Sequence, residues 1–320
     1  MKRRSLLFFL TAFIFGFTIA VALIKTGLIF KDKNFLSIVR SQNKKLTNPL
    51  LDCELYQDSK QNQIYTSLIK KKVNEIINNY QDYLIEYSVY YRDLNNGPWI
   101  GINEKALFSP VSLLKVPVMI AYLKKAETEQ QLLEKKIIYT GQHILVENIQ
   151  QTDRLKVGQN YSIDELLRRM ISLSDNIAFE ILNNNVDRKY LKSVHQELDI
   201  VYPDSSTPEN FVNIKSYAGL FRVLYNATYL NREMSERALN YLTQSSFNLG
   251  IKAGLPKTMK TALKYGVRDI DQEGISQIHD CGIVYSEKWP YLICIMTKGK
   301  DKNKLVDFIR EVSKTIYNNI

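Results

Sequence analysis

The distribution of helical and extended patterns along 320 residues predicts an α/β protein of the two-lobed α+β kind. An antiparallel sheet is expected from both ends of the chain, flanked by helices, with an all-helical lobe inserted between its parts. Three observations carry this. Alternating apolar residues with turn chemistry mark a hairpin near Tyr90, and helical periodicity dominates from Val111 to about Ser245. Two apolar strands followed by a helix then close the chain.

Taken in order, Lys2-Arg3-Arg4 precedes Leu6 to Ile24, nineteen uncharged and mostly apolar residues, close to the length that spans a bilayer. Residues 1–30 therefore read as a transmembrane signal anchor that leaves the rest outside the cytoplasm. Ala20-Val21-Ala22 also suits signal-peptidase cleavage, so anchored and secreted forms both stand open. Residues 31–60 are polar and mixed, a tether. Residues 61–320 read as the folded domain, with a sheet lobe at 61–110 and 246–320 and a helical lobe at 111–245.

Within that domain, Ile64, Leu68, Val73, Ile76, Ile77 and Tyr80 recur at helical spacing. Ile85, Tyr87, Val89 and Tyr91 then alternate with polar residues, and Asn95-Asn96-Gly97-Pro98 turns the chain into Trp99 to Ile102. Ile278 to Tyr285 and Tyr291 to Thr297 read as strands around a turn at Ser286 to Pro290. The closing helix carries Leu305, Phe308, Ile309, Val312 and Ile316 on one face.

Composition narrows the functional classes. The net charge of +10 is spread along the chain rather than gathered in a stripe, which with export argues against a nucleic-acid partner. Cys53, Cys281 and Cys294 are an odd count, so no disulfide scaffold is expected. The turn at Ser286 to Pro290 places Cys281 opposite Cys294, and two buried thiols are expected there rather than a bridge. Leu50-Leu51-Asp52-Cys53 has the look of a lipidation box but lies too far from the leader. His143, His195 and His279 stand neither at zinc-ligand spacing nor in a Gly-x-Ser-x-Gly frame, and nothing calls for a cofactor or metal. His279 is expected to be structural.

Chemistry concentrates in three short segments. Ser112 and Lys115 lie three residues apart where an apolar helix begins, so one helical turn puts both on one face. A serine hydroxyl needs a base to take its proton, and a desolvated lysine can be that base. Ser174-Asp175-Asn176 and Lys264-Tyr265-Gly266 follow in order.

Together these segments resemble the S-x-x-K, S-D-N and K-T-G signature of class A β-lactamases and penicillin-binding proteins, over most of the chain from about Gln61 onward. The resemblance implies a β-lactamase/transpeptidase-like fold and a Ser112 acyl-enzyme formed with β-lactams or D-Ala-D-Ala-like cell-wall peptides. It implies an oxyanion hole from the N–H groups of Ser112 and Val267, and a proton relay through Ser174. Lys264 would hold the Ser174 hydroxyl and attract a substrate carboxylate, with Tyr265 and Gly266 beside it, and Asn176 would bind a substrate amide and orient Lys115. Asp175 would support its loop. A monomer is expected.

Two departures stand out. Tyr265 occupies the place of a Ser or Thr whose short hydroxyl helps bind carboxylate, and Arg268 is the nearby candidate for supplying charge instead. The Glu-Pro-x-Leu-Asn loop that positions the deacylating water is absent. Glu209, in Thr207-Pro208-Glu209-Asn210, lies 33 residues after Asn176 and is the only counterpart in reach, but the next helical pattern starts almost at once. The loop is therefore expected to be short and Glu209 to cap a helix. The acyl-enzyme would then persist, as in a peptidase-like or slow enzyme; a catalytically weak peptide-binding module is the alternative.

Overall fold

Ten-residue strands with a period of two set the frame of the protein. A computed structural model describes residues 46–47, 59–95, 97–141, 154–270, 274–286 and 289–320. The expected leader, nearly all of the tether, Cys53 and His143 lie outside the described residues. Among those residues no helix is long and apolar enough to cross a membrane.

Five antiparallel strands form the main sheet in the order β2-β1-β9-β8-β7. They are β1 (Leu84–Asp93), β2 (Trp99–Ile102), β7 (Thr261–Ile270), β8 (Ile275–Val284) and β9 (Tyr291–Lys300). Short pairs join β3 (Leu107–Phe108) to β6 (Val212–Asn213) and β4 (Lys136–Ile138) to β5 (Asn160–Ser162). Alternation along β9 divides the core in two. Tyr291, Ile293 and Ile295 face α1 (Ser59–Tyr80) and α8 (Lys302–Tyr317), packing with Val73, Phe308 and Val312. Leu292, Cys294 and Met296 face the helices inserted between β3 and β7.

Those helices are α2 (Lys115–Ala126), α3 (Ile163–Ser172), α4 (Asn176–Asn185), α5 (Arg188–Glu197), α6 (Ile214–Asn226) and α7 (Arg232–Thr243). Capping explains several starts, since Ser162, Asp175, Asp187, Asn213 and Asn231 each accept backbone N–H bonds at a helix N-terminus. Leu113, Met119, Ile120, Leu166, Phe221 and Leu239 fill the centre. The antiparallel sheet flanked by helices is the expected fold.

Two details differ from the sequence reading. Strand β7 is paired with β8 along its whole length, Thr261 to Val284 through Ile270 to Ile275, although the sequence pattern shows only its motif. A buried lysine and a tyrosine in its middle hide the alternation. The expected register of Cys281 opposite Cys294 holds, but the pair forms a disulfide instead of two thiols. Directly opposed residues on neighbouring antiparallel strands point to one face, which brings the two sulfurs together.

Candidate active site

Pro110 leads into a single turn of 3₁₀ helix, Val111–Leu114, that continues into α2. Side chains three residues apart nearly eclipse in such a turn. Lys115 Nζ accordingly donates to Ser112 Oγ at 3.2 Å. Val111 adopts φ 48°, a left-handed conformation that a β-branched residue takes only under strain, and the strain sits one residue before the serine. The turn is held from the sheet. Ser109 N donates to Gln277 Oε1 at 3.1 Å, and Ser109 O lies 2.9 Å from His279 Nε2, both on β8. Burial pushes His279 down to about 4, so its ring is neutral at physiological pH and Nε2–H donates to that carbonyl. The structural role expected for His279 is this clamp.

Lys115 is 2% exposed. Besides Ser112, its ammonium reaches Ser174 O at 2.6 Å, Ser174 Oγ at 3.1 Å and Asn176 Oδ1 at 2.7 Å. Burial pushes Lys115 down to about 7, with the Asp175 carboxylate opposing the shift. Ser174, itself buried, has φ 55°, a bend that turns both its oxygens toward α2. Asp175 stays out of the contact: it caps α4 through Ile177 N and Ala178 N, and its other oxygen accepts from buried Arg169 at 3.0 Å. That matches its expected supporting role.

The third segment arrives on β7, the edge strand. Lys264 has 0% exposure and donates to Ser174 Oγ at 2.9 Å and Tyr265 O at 2.9 Å. Burial holds Lys264 well below the usual lysine range and Lys115 adds to this, while Asp280 opposes it. Gly266 lets the strand pass close to the nucleophile turn, since a Cβ there would lie 3.3 Å from Val111 Cβ and 3.4 Å from Ser112 N. Val267 follows on the same edge, where among the described residues no further strand pairs with β7. Ser112, Lys115, Ser174, Asn176 and Lys264 thus form one hydrogen-bonded cluster with Gly266 packed against its serine.

Glu209 and Arg268 do not join that cluster. They pair with each other at 2.5 Å, with side chains 53% and 43% exposed. The expectation that Glu209 caps a helix is corrected, because Asn213 caps α6 and Glu209 lies four residues before it. The loop runs from the end of α5 at Glu197 to Val212, where β6 opens. It is tied to β3 by that strand pair and by Phe211 N to Phe108 O at 3.1 Å, and beneath it Phe211, Val212, Pro110, Leu113 and Tyr217 line a cavity of about 60 Å³.

A sequence profile described as the Beta-lactamase enzyme family matches residues 68–320. The chain belongs to this family. Membership makes it a β-lactamase-type hydrolase. Its fold is similar to that of a β-lactamase from Chitinophaga pinensis, at TM-score 0.70 and 19% identity, over 78% of this chain and 98% of that one. TLA-1 extended-spectrum β-lactamase superimposes at TM-score 0.71 and 18% identity, covering 79% and 98%. A point mutant of PBP-A, solved as an acyl-enzyme complex with penicillin G, gives TM-score 0.66 at 20% identity, covering 79% and 96%. A search of curated proteins finds no match.

Several residues around the site of this β-lactamase-family chain escaped the sequence reading. Arg169, six residues before Asp175, carries no motif, although a basic residue in the last turn of an otherwise apolar helix face was a hint. Gln277 acts through a contact from β8 to Ser109 that no local spacing announces. Phe247, whose ring stacks on Tyr265, comes from a segment with no pattern at all.

Proposed function

We propose that the chain is a serine acyl-transfer hydrolase that opens an amide through an ester on Ser112, with β-lactams or D-Ala-D-Ala-like peptides as its substrate class. The observation that carries the reading is the unbroken contact from Ser112 through Lys115 and Ser174 to Lys264, with Lys115 brought to about 7 by burial. A lysine titrating there is a free base for much of the time at neutral pH. In the first step Ser112 Oγ bonds to the carbonyl carbon and its proton passes to Lys115 Nζ. The negative oxygen is held by the N–H groups of Ser112 and Val267. Collapse breaks the C–N bond, the nitrogen takes the Ser174 proton, and Ser174 is reprotonated from the lysines it touches. The products are the Ser112 ester and a neutral amine.

Water must then hydrolyse the ester, and here the described residues offer little. Glu209 is exposed and paired with Arg268, and Lys115 is the general base beside the serine. This supports a long-lived ester, closer to penicillin-binding behaviour than to fast β-lactam turnover. Every residue the reading uses comes from one chain, so a monomer suffices. The basic leader and apolar run favour action outside the cytoplasm, anchored or released.

Intact-mass measurement over time after adding a penicillin tests the proposal. A stoichiometric adduct that forms and decays slowly is expected, and none with Ser112→Ala. Equal adduct in both proteins would sink the assignment of Ser112, and a folded wild type with no adduct would favour a peptide-binding module.

A further inference from the structure

Both lysines touch Ser174, the residue that hands over the proton in the proposed reaction, and Lys264 is the closer, at 2.9 Å against 3.1 Å for Lys115. Its Nζ is nonetheless engaged: it contacts Ser174 Oγ and Tyr265 O, both at 2.9 Å, and the Tyr265 ring lies against it with its centroid 4.4 Å away. The side chain exposes no surface.

The covering ring is itself held in place. It stacks on Phe247 with centroids 4.6 Å apart and planes 18° apart. Its hydroxyl is hydrogen-bonded to the side chains of Ser246 and Ser174. Ser246 is anchored in turn by its N–H to Ser172 O at 2.8 Å. A ring fixed on its face and at its tip does not swing aside cheaply. The other charges nearby are engaged too: Lys115 already meets four acceptors, and Arg268, four residues further along β7, is paired with Glu209.

We propose that Tyr265 is a specificity determinant that covers Lys264 and disfavours acyl donors carrying a carboxylate beside the leaving nitrogen, so that the preferred substrates are neutral at that end. The inference rests on the Ser112 acyl-transfer reading and narrows its substrate class, ranking free-acid β-lactams and D-Ala-D-Ala-like peptides, which carry that carboxylate, below related donors in which it is masked or missing. A carboxylate placed there loses water and gains no N–H in return, which costs far more than burying a neutral group. The paired rings of Phe247 and Tyr265 offer a neutral ester or aryl group apolar surface instead.

The test compares rates of ester formation by penicillin G and by its methyl ester, read by intact mass, on wild type, Tyr265→Thr and Tyr265→Phe. In wild type the methyl ester is expected to react faster by about tenfold or more, the scale of one charged hydrogen bond. Tyr265→Thr should collapse or reverse that preference by uncovering Lys264, whereas Tyr265→Phe, which keeps the ring, should retain it. Equal rates or a free-acid preference in wild type overturns the proposal even if Tyr265→Thr fails to fold. A wild-type preference for the ester that a folded Tyr265→Thr leaves unmoved also overturns it. If neither probe forms an ester on folded wild type, the acyl-transfer reading fails first and this inference falls with it.

Discussion

The start of α4 and the loop before α6 both border the nucleophile turn, and they are built in opposite ways. Around Ser174-Asp175-Asn176, Lys115, Arg169 and Lys264 are buried with close partners. Around Glu209 the side chains are exposed, the one ion pair is at the surface, and the loop backs onto a cavity. A buried charge is tolerated only with its partners in place, so the first region has a single workable arrangement. An exposed pair is worth little, and the second region can vary without unfolding the protein. The groups assigned to making the ester lie in the rigid region, and Glu209, the acidic candidate for clearing it, lies in the tolerant one.

The contrast breaks hardest at Lys115. Lys115→Ala should slow ester formation by about 10²–10⁴-fold, the usual cost of losing a general base. In wild type the rate should climb as pH rises through about 7, because the group is a base only above its pKa and burial has lowered that pKa. The variant should lose this step. A pH profile identical in both proteins would remove Lys115 from the role.

Next in size is a stability effect. Asp175→Ala takes the carboxylate from Arg169, whose side chain is 3% exposed, and uncaps α4. Breaking a buried pair from one side costs about 3–5 kcal/mol, and a melting temperature lower by roughly 10 °C is expected. A melting curve that does not move would mean that the region is less tightly determined than its burial implies.

Both effects fall on residues whose positions were legible to different degrees. Ser112 and Lys115 could be paired from spacing alone, because one turn of helix is a local geometry. Asp175 at a helix start was equally legible, because capping depends on the two or three residues that follow. Arg169 was not, since the bend at Ser174 decides which earlier side chain meets the cap.

The smallest effect belongs to the loop. Glu209→Gln should change stability by less than about 1 kcal/mol and leave the decay of the Ser112 ester unchanged, measured by intact mass after removal of free penicillin. A decay slowed about a hundredfold would show that this loop still delivers a base, and would make the two regions functional equals.

By itself the sequence determined what depends on neighbours within a few residues. The S-x-x-K turn, the helix starts, the hairpin of β1 and β2 and the register that sets Cys281 opposite Cys294 all follow from spacing, capping and turn chemistry. The tertiary structure decided what depends on which surfaces meet. Lys264 reaches Ser174 across 90 residues only because β7 lies at the sheet edge beside the nucleophile turn, with Gly266 thin enough to allow it. Glu209 finds Arg268 rather than a helix end, and Tyr265 finds Phe247, for the same reason. Local geometry is written in covalent distance along the chain, whereas these contacts exist only once a core of apolar side chains has chosen how the strands and helices pack.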